Sequence, residues 1–514
     1  MMRRSSFVAL ALLAFSASCG DPEEPVDEVE LTTGDETTVE VVQEPERELP
    51  PESGTARDIQ FPEIGQATTS SGLAVNTVRF GALPVVYLRL VIQTGSASDP
   101  EELPGVAHFV AEMLKEGTRN RTSAELAESV EFLGADMEVG DDQENVFILV
   151  RALSDHLDDA MELLADVARN PRFSSGELRR LKTRELDRLR LLSQQPQHLA
   201  RRTLYRELYG EHPYARIDTT PQAIARVSQA DLRRWHRANA VPNNAFLVAV
   251  GNVDPAEVHR VAEQHFSGWR SRPVRDAAYP APPQRTAREI VVVDRPSSQQ
   301  STIFVGNLAL ARNDPAYVQL LVANQVLGGS PASRLFQDLR EERSLTYGAY
   351  SVVSQRPQIA PFVAYARVRN EVTEEAVAGF MEHLDRIVAE EVPQPEIDHA
   401  ERFLSDSFPL RIQTASRISA MVEQLRVFNL PDDYWTSFRS AIRGVSAAQA
   451  HEAARTYIRP DHGLIVAVGR AASIVEPLRR YGPVRVIDTD GDLISNFEAL
   501  PAEAAAPEPA ASEE

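Results

Sequence analysis

The chain has 514 residues, of which 43% are hydrophobic and 25% charged, with a net charge of −22 and a single cysteine. That length accommodates about two to four domains, and the composition excludes a wholly disordered, collagen-like or disulfide-built chain. Residues 21–64 hold fifteen Asp/Glu against two Arg, and residues 488–514 hold eight Asp/Glu with neither Lys nor Arg; apart from these and Arg3 and Arg4, the body at 65–487 is left near −3. A nearly neutral body excludes the basic footprint that nucleic-acid binding needs.

The chain opens with Met1-Met2-Arg3-Arg4, an apolar run from Phe7 to Phe15, and small residues up to Cys19. Residues 1–19 read as a lipoprotein-type signal peptide. The apolar run is too short for a permanent membrane span. Cys19 resembles the lipidated cysteine of bacterial lipoproteins, although Ser16 stands where leucine is usual; ordinary cleavage leaving a free thiol is the alternative. Lipidation implies a bacterial cell envelope location, lipid-anchored and periplasm-facing or at the outer membrane. Residues 20–64 read as an acidic disordered tether, too polar to bury a core.

In the body, Leu73–Phe80 and Val85–Ile92 read as strands joined by a hairpin turn at Gly81–Pro84. Thr122-Ser-Ala-Glu125 and Ser174-Ser-Gly-Glu177 each read as a capping box opening a helix, the second running to about Leu192. Residues 271–288, with four prolines, read as a linker. Beyond it, Ile290–Val293 and Ile303–Leu310 read as strands, and Asp314-Pro315 opens a helix that stops near Gly328-Gly329.

The body also repeats. Val227, Ser228, Ala230, Arg237, Pro242 and Val248-Ala249-Val250-Gly251 recur as Val445, Ser446, Ala448, Arg455, Pro460 and Val466-Ala467-Val468-Gly469, nine identities at a fixed offset of 218. This predicts an α+β tandem duplication: domains at 65–270 and 289–487, the linker at 271–288, and an acidic disordered tail at 488–514.

The stretch Pro104-Gly-Val-Ala-His108-Phe-Val-Ala111-Glu112-Met-Leu-Lys-Glu-Gly117-Thr118 resembles the signature helix of the pitrilysin/insulinase family of inverted-motif zinc peptidases, whose motif is H-x-x-E-H. Gly95–Pro100, Asn170–Phe173, Leu208–Tyr214 and Ser333–Tyr347 extend the likeness across essentially all of 65–487. The resemblance implies two similar domains, each a mixed, mainly antiparallel sheet covered by helices. It also shows the motif broken. Ala111 stands where the general base belongs, and Glu112 where the second histidine belongs. Asp187 is the closest match to the third ligand. The degenerate metal positions are then His108, Glu112 and Asp187, with no cofactor expected on this chain alone. A methyl group takes no proton, and general-base catalysis is commonly worth roughly 10²–10⁴-fold. A metal-free reading gives Val106, Phe109, Val110 and Met113 to a core face and pairs Glu112 with His108 or Lys115. His451-Glu452-Ala-Ala-Arg455 is near H-E-x-x-H, but arginine offers no lone pair.

Arg340 and Tyr347 survive, seven apart as in the family's second half, where such a pair reaches the scissile peptide. Both side chains can donate to a carbonyl or an oxyanion. The resemblance thus implies a non-catalytic subunit of a heteromeric zinc peptidase, whose partner is an H-x-x-E-H subunit carrying the zinc. An unstructured peptide is the implied substrate. The alternatives are a stand-alone envelope peptide-binding or assembly lipoprotein, and an atypical autonomous metalloendopeptidase.

Overall fold

The computed structural model describes residues 59–275 and 278–501. The signal peptide with Cys19, the tether up to residue 58 and the tail from residue 502 lie outside the described residues. No described helix is long and apolar enough to cross a membrane.

The N-terminal sheet is built from β1 (Gly65–Thr68), β2 (Ala74–Arg79), β3 (Val85–Ile92), β4 (Asp136–Asp141), β5 (Val146–Leu153) and β6 (Ala245–Gly251), in the order β1-β2-β6-β3-β5-β4. The C-terminal sheet takes β7 (Glu289–Asp294), β8 (Gln300–Leu310), β9 (Thr346–Val353), β10 (Ala360–Arg369), β11 (Leu464–Gly469), β12 (Val484–Ile487) and β13 (Leu493–Phe497), in the order β13-β12-β7-β11-β8-β10-β9. Five strands follow the same order in both sheets, β2-β6-β3-β5-β4 matching β7-β11-β8-β10-β9. The duplication is therefore structural. The β2–β6, β7–β11 and β7–β12 pairs are parallel and the others antiparallel.

The repeated segment is one unit built twice. Ser228 and Ser446 each close a capping box, on Asp231 and Gln449, opening the helices Gln229–Asn239 and Ala447–Tyr457. A 3₁₀ turn and a fully buried strand follow each helix, β6 in one half and β11 in the other. Gly251 ends β6 because a Cβ there would lie 2.1 Å from the Val85 carbonyl oxygen; at Gly469 it would lie 2.5 Å from Ser301 Oγ.

Four expectations need correction. β2 and β3 form no hairpin, because the wholly apolar β6 inserts between them as the central strand. The long helix does begin after Ser174, but the box is not formed there; Glu177 turns to Arg180 instead. The tether ends before residue 64, since Phe61 is buried in the core. The tail begins later than 488: Asp488 Oδ1 accepts the backbone N–H groups of Asp490, Gly491 and Asp492, and that turn sends the chain into β13.

The halves are interlocked rather than merely linked. The helix Pro196–Tyr209, from the first half of the chain, packs on β8 and β11, while the helix Ala415–Val427 packs on β3 and β6. Arg89 Nη1 reaches Glu423 at 2.7 Å, Arg426 Nε donates to Asn76 at 3.0 Å, and Tyr209 donates its hydroxyl to the Ile359 carbonyl at 2.8 Å. Each sheet buries a face that its own half does not cover, so both cores depend on the exchange.

Candidate functional site

The helix Val106–Leu114 is held at both ends. Asp99 accepts the backbone N–H groups of Gly105 (2.7 Å) and Ala107 (3.0 Å) at its start. Burial pushes the Asp99 carboxyl up to about 7 even though those two amides act to lower it. Just beyond the other end, Thr118 and Arg121 donate to Asp166 at 2.7 Å each and Asn170 at 3.0 Å, which gathers the segments on either side of Gly117-Thr118 and Asn170-Pro171. The stretches flanking the motif are thus the braces of this helix.

Val106, Phe109, Val110 and Met113 face the core as expected, and Ala111 joins them at 1% exposure. His108 faces the other way, into a cavity of about 560 Å³ between the halves. Its Nδ1 lies 2.8 Å from Asp141 Oδ1 at the end of β4, and its Nε2 lies 3.3 Å from Glu185 Oε2 on the helix Ser175–Leu192. Arg188 Nη1 donates to the same Glu185 oxygen at 3.1 Å and lies 3.4 Å from Nε2, where two donors share one acceptor. Burial acts to lower the His108 pKa, but the hydrogen bonds and charges of Asp141 and Glu185 outweigh it and push the pKa up to about 10. The Glu185 carboxyl is buried, which acts to raise its pKa, yet His108 and Arg188 hold it below the usual carboxylate range. His108 is therefore an imidazolium clamped between two carboxylates.

The three degenerate metal positions do not converge. Glu112 accepts from Lys115 Nζ at 2.9 Å, one of the two partners expected for it. Asp187 is exposed and pairs with Arg190 at 2.6 Å, so the acidic residue facing His108 is Glu185 and not Asp187. The reason is helical phase: Leu178, Leu181 and Glu185 share the buried face, and two further residues rotate roughly 200° away from it. Asp141 and Glu185 meet opposite ring edges of His108 and cannot join one nitrogen on a common ion. Among the described residues no group of three His, Cys, Asp or Glu is arranged to hold a metal. The residues as placed do not fit a zinc ion, and Ala111 offers no base.

Arg340 and Tyr347 stand elsewhere. Arg340 lies in a π-helical turn, Gln337–Glu342, with its guanidinium 4.8 Å from the Phe336 ring centroid and 2.9 Å from Glu341. Tyr347 is 91% exposed on β9, the outermost strand of its sheet, against which that turn packs. Neither lines the His108 cavity. His451 is an ordinary helix residue whose Nε2 lies 2.9 Å from the Val388 carbonyl, and Arg455 pairs with Glu452.

Sequence comparison places these features among known proteins. Residues 82–222 match the family model described as Insulinase (Peptidase family M16), and residues 226–404 match the one described as Peptidase M16 inactive domain. The chain is 22% identical over 354 residues to the Uncharacterized zinc protease YmxG of Bacillus subtilis, covering 69% of this chain and 85% of that one. It is 24% identical over 340 residues to the Non-peptidase homolog YmxG of Helicobacter pylori, covering 65% and 77% respectively. The solved peptidase M16 inactive domain from Pseudomonas fluorescens superposes with a TM-score of 0.75 at 28% identity, over 80% of this chain and 99% of that one.

Proposed function

The chain belongs to the M16 (insulinase) peptidase family as a member of non-catalytic type, and from that membership we propose that it is the partner subunit of a heteromeric zinc peptidase. It helps enclose an unstructured peptide and offers Arg340 and Tyr347 to an H-x-x-E-H subunit's active site. The observation that carries this reading is the outward placement of the pair. A tyrosine 91% exposed on an edge strand and an arginine 45% exposed on the turn that packs against that strand both lie outside the wall of the chain's own cavity. An exposed phenol and an exposed guanidinium suit an oxyanion that forms elsewhere. The chain's own histidine is committed to two carboxylates, and Ala111 stands at the position of the motif's base.

The lipoprotein-type leader extends the proposal to an envelope complex tethered through Cys19. The test is co-purification from cells carrying both subunits, followed by peptide hydrolysis by each alone and by the mixture. The account expects hydrolysis from the mixture and none from this chain. Hydrolysis by this chain alone, lost in a His108→Ala variant, would favour the autonomous peptidase instead.

A further inference from the structure

A second cavity, of about 380 Å³, lies in the C-terminal half. Three arginines stand in its wall, Arg312, Arg411 and Arg417, and no Asp or Glu does. Most of the remaining wall is apolar or aromatic, with Leu321, Met421 and Trp435 among it. Gln355 borders both this cavity and the one at His108, so the two are neighbours.

Arg312 is the unusual member. It follows β8 and is 2% exposed. Its guanidinium carbon lies 4.1 Å from the Tyr317 ring centroid and 4.7 Å from that of Tyr434, with Trp435 at 5.9 Å. Nε and Nη1 donate to no acceptor, and no carboxylate of the described residues pairs with this side chain within 4.0 Å. A buried cation without a counter-ion is costly, and aromatic faces return only part of that cost. Elsewhere in the same half the chain supplies the acid: Arg334 pairs with Glu396, and Arg343 with Asp338 and Glu382. The wall of this cavity omits it, while Arg411 and Arg417 add two exposed positive charges to it.

We propose that this cavity is a binding site for an organic carboxylate with an apolar or aromatic body. The three guanidinium groups take the carboxylate, and the apolar wall takes the body. A free organic acid and the C-terminal end of a peptide share this chemistry. The inference goes beyond the partner-subunit reading and does not depend on it.

The test is calorimetric titration of the full chain with phenylacetate, with the dipeptide acid N-acetyl-Leu-Phe, and with its C-terminal amide. At least one acid should bind at least about tenfold more tightly than the amide, a difference that rising salt erodes. Binding of phenylacetate as tight as that of the dipeptide acid supports a free acid as the source; binding of the dipeptide acid alone supports a peptide end. An Arg411→Ala/Arg417→Ala double variant, altered only at exposed positions, should keep its melting temperature and lose about tenfold in acid affinity. Arg312→Met should abolish acid binding and melt at the same or a higher temperature, because it removes a buried charge. Equal binding of acid and amide, no acid binding at millimolar concentration, or inorganic phosphate binding as tightly as the acids would each overturn the proposal. Should Arg312→Met fail to fold, the double variant still decides it.

Discussion

Replacing His108 by Gln keeps a polar side chain of similar reach and removes the positive charge between Asp141 and Glu185. The consequence depends on pH, and its sign follows from the direction of the shift. The His108 pKa rises from 6.5 to about 10 on folding, so the stability it contributes is fully present below pH 6.5 and is lost as pH climbs through 10. At about 1.4 kcal/mol per pH unit the whole shift corresponds to about 5 kcal/mol. The side chain is 19% exposed and Arg188 remains to pair with Glu185, so His108→Gln should cost less, on the order of 2–3 kcal/mol at pH 6. The assay is urea unfolding of wild type and variant at pH 6, 7.5, 9 and 10. The difference between the two should be largest at pH 6 and shrink toward zero by pH 10. A difference that stays constant across this range, or an NMR titration placing His108 near 6.5, would refute the clamped imidazolium.

Four other variants address the remaining parts of the account. Glu185→Gln should destabilise the fold by roughly 1–3 kcal/mol and lower the His108 pKa, whereas Asp187→Asn should stay within about 0.5 kcal/mol, both read by urea unfolding. Ala111→Glu with Glu112→His rebuilds H-x-x-E-H beside Glu185, and equilibrium dialysis should show improved zinc binding with little peptide hydrolysis. Because Ala111 is 1% exposed, the added carboxylate should also cost roughly 1–3 kcal/mol; robust turnover would show the rest of a catalytic site to be intact. Cys19→Ser should release the mature protein from the membrane fraction on cell disruption, and a wild type already soluble would remove the lipid anchor from the account.

Much of the fold was legible because it is carried by local chemistry. The capping box at Thr122, and the repeated segment that runs from Ser228 and Ser446 to the apolar strands ending at Gly251 and Gly469, identify themselves by residue type and spacing. The position of β6 between β2 and β3 was not legible, because strand order is set by long-range pairing that a turn sequence does not encode. The exchange of helices between halves was hidden for the same reason. At the site, the histidine, the absent base and the Glu112–Lys115 pair were visible in the motif. The third acidic residue was misplaced by two positions, although the Leu178, Leu181, Glu185 spacing marks a buried helical face that would have located it. Asp141 carried no local signal: it closes a strand, and only the packing of β4 beside the signature helix brings it to His108.

The measurement that bears most directly on the partner-subunit reading is steady-state hydrolysis of an unstructured peptide by the complex of this chain with an H-x-x-E-H subunit, comparing wild type with Tyr347→Phe and Arg340→Lys. Tyr347→Phe removes one hydroxyl from a side chain 91% exposed, and Arg340→Lys keeps the charge while losing the planar fork, so neither should disturb folding or assembly. If the pair acts on charge developing in the transition state, kcat should fall by roughly 10²–10³ for Tyr347→Phe, with a smaller change in KM and an unchanged affinity between subunits. Unchanged kinetics in a complex that still assembles would contradict the account and leave Arg340 and Tyr347 as surface residues of a scaffold or peptide-binding protein.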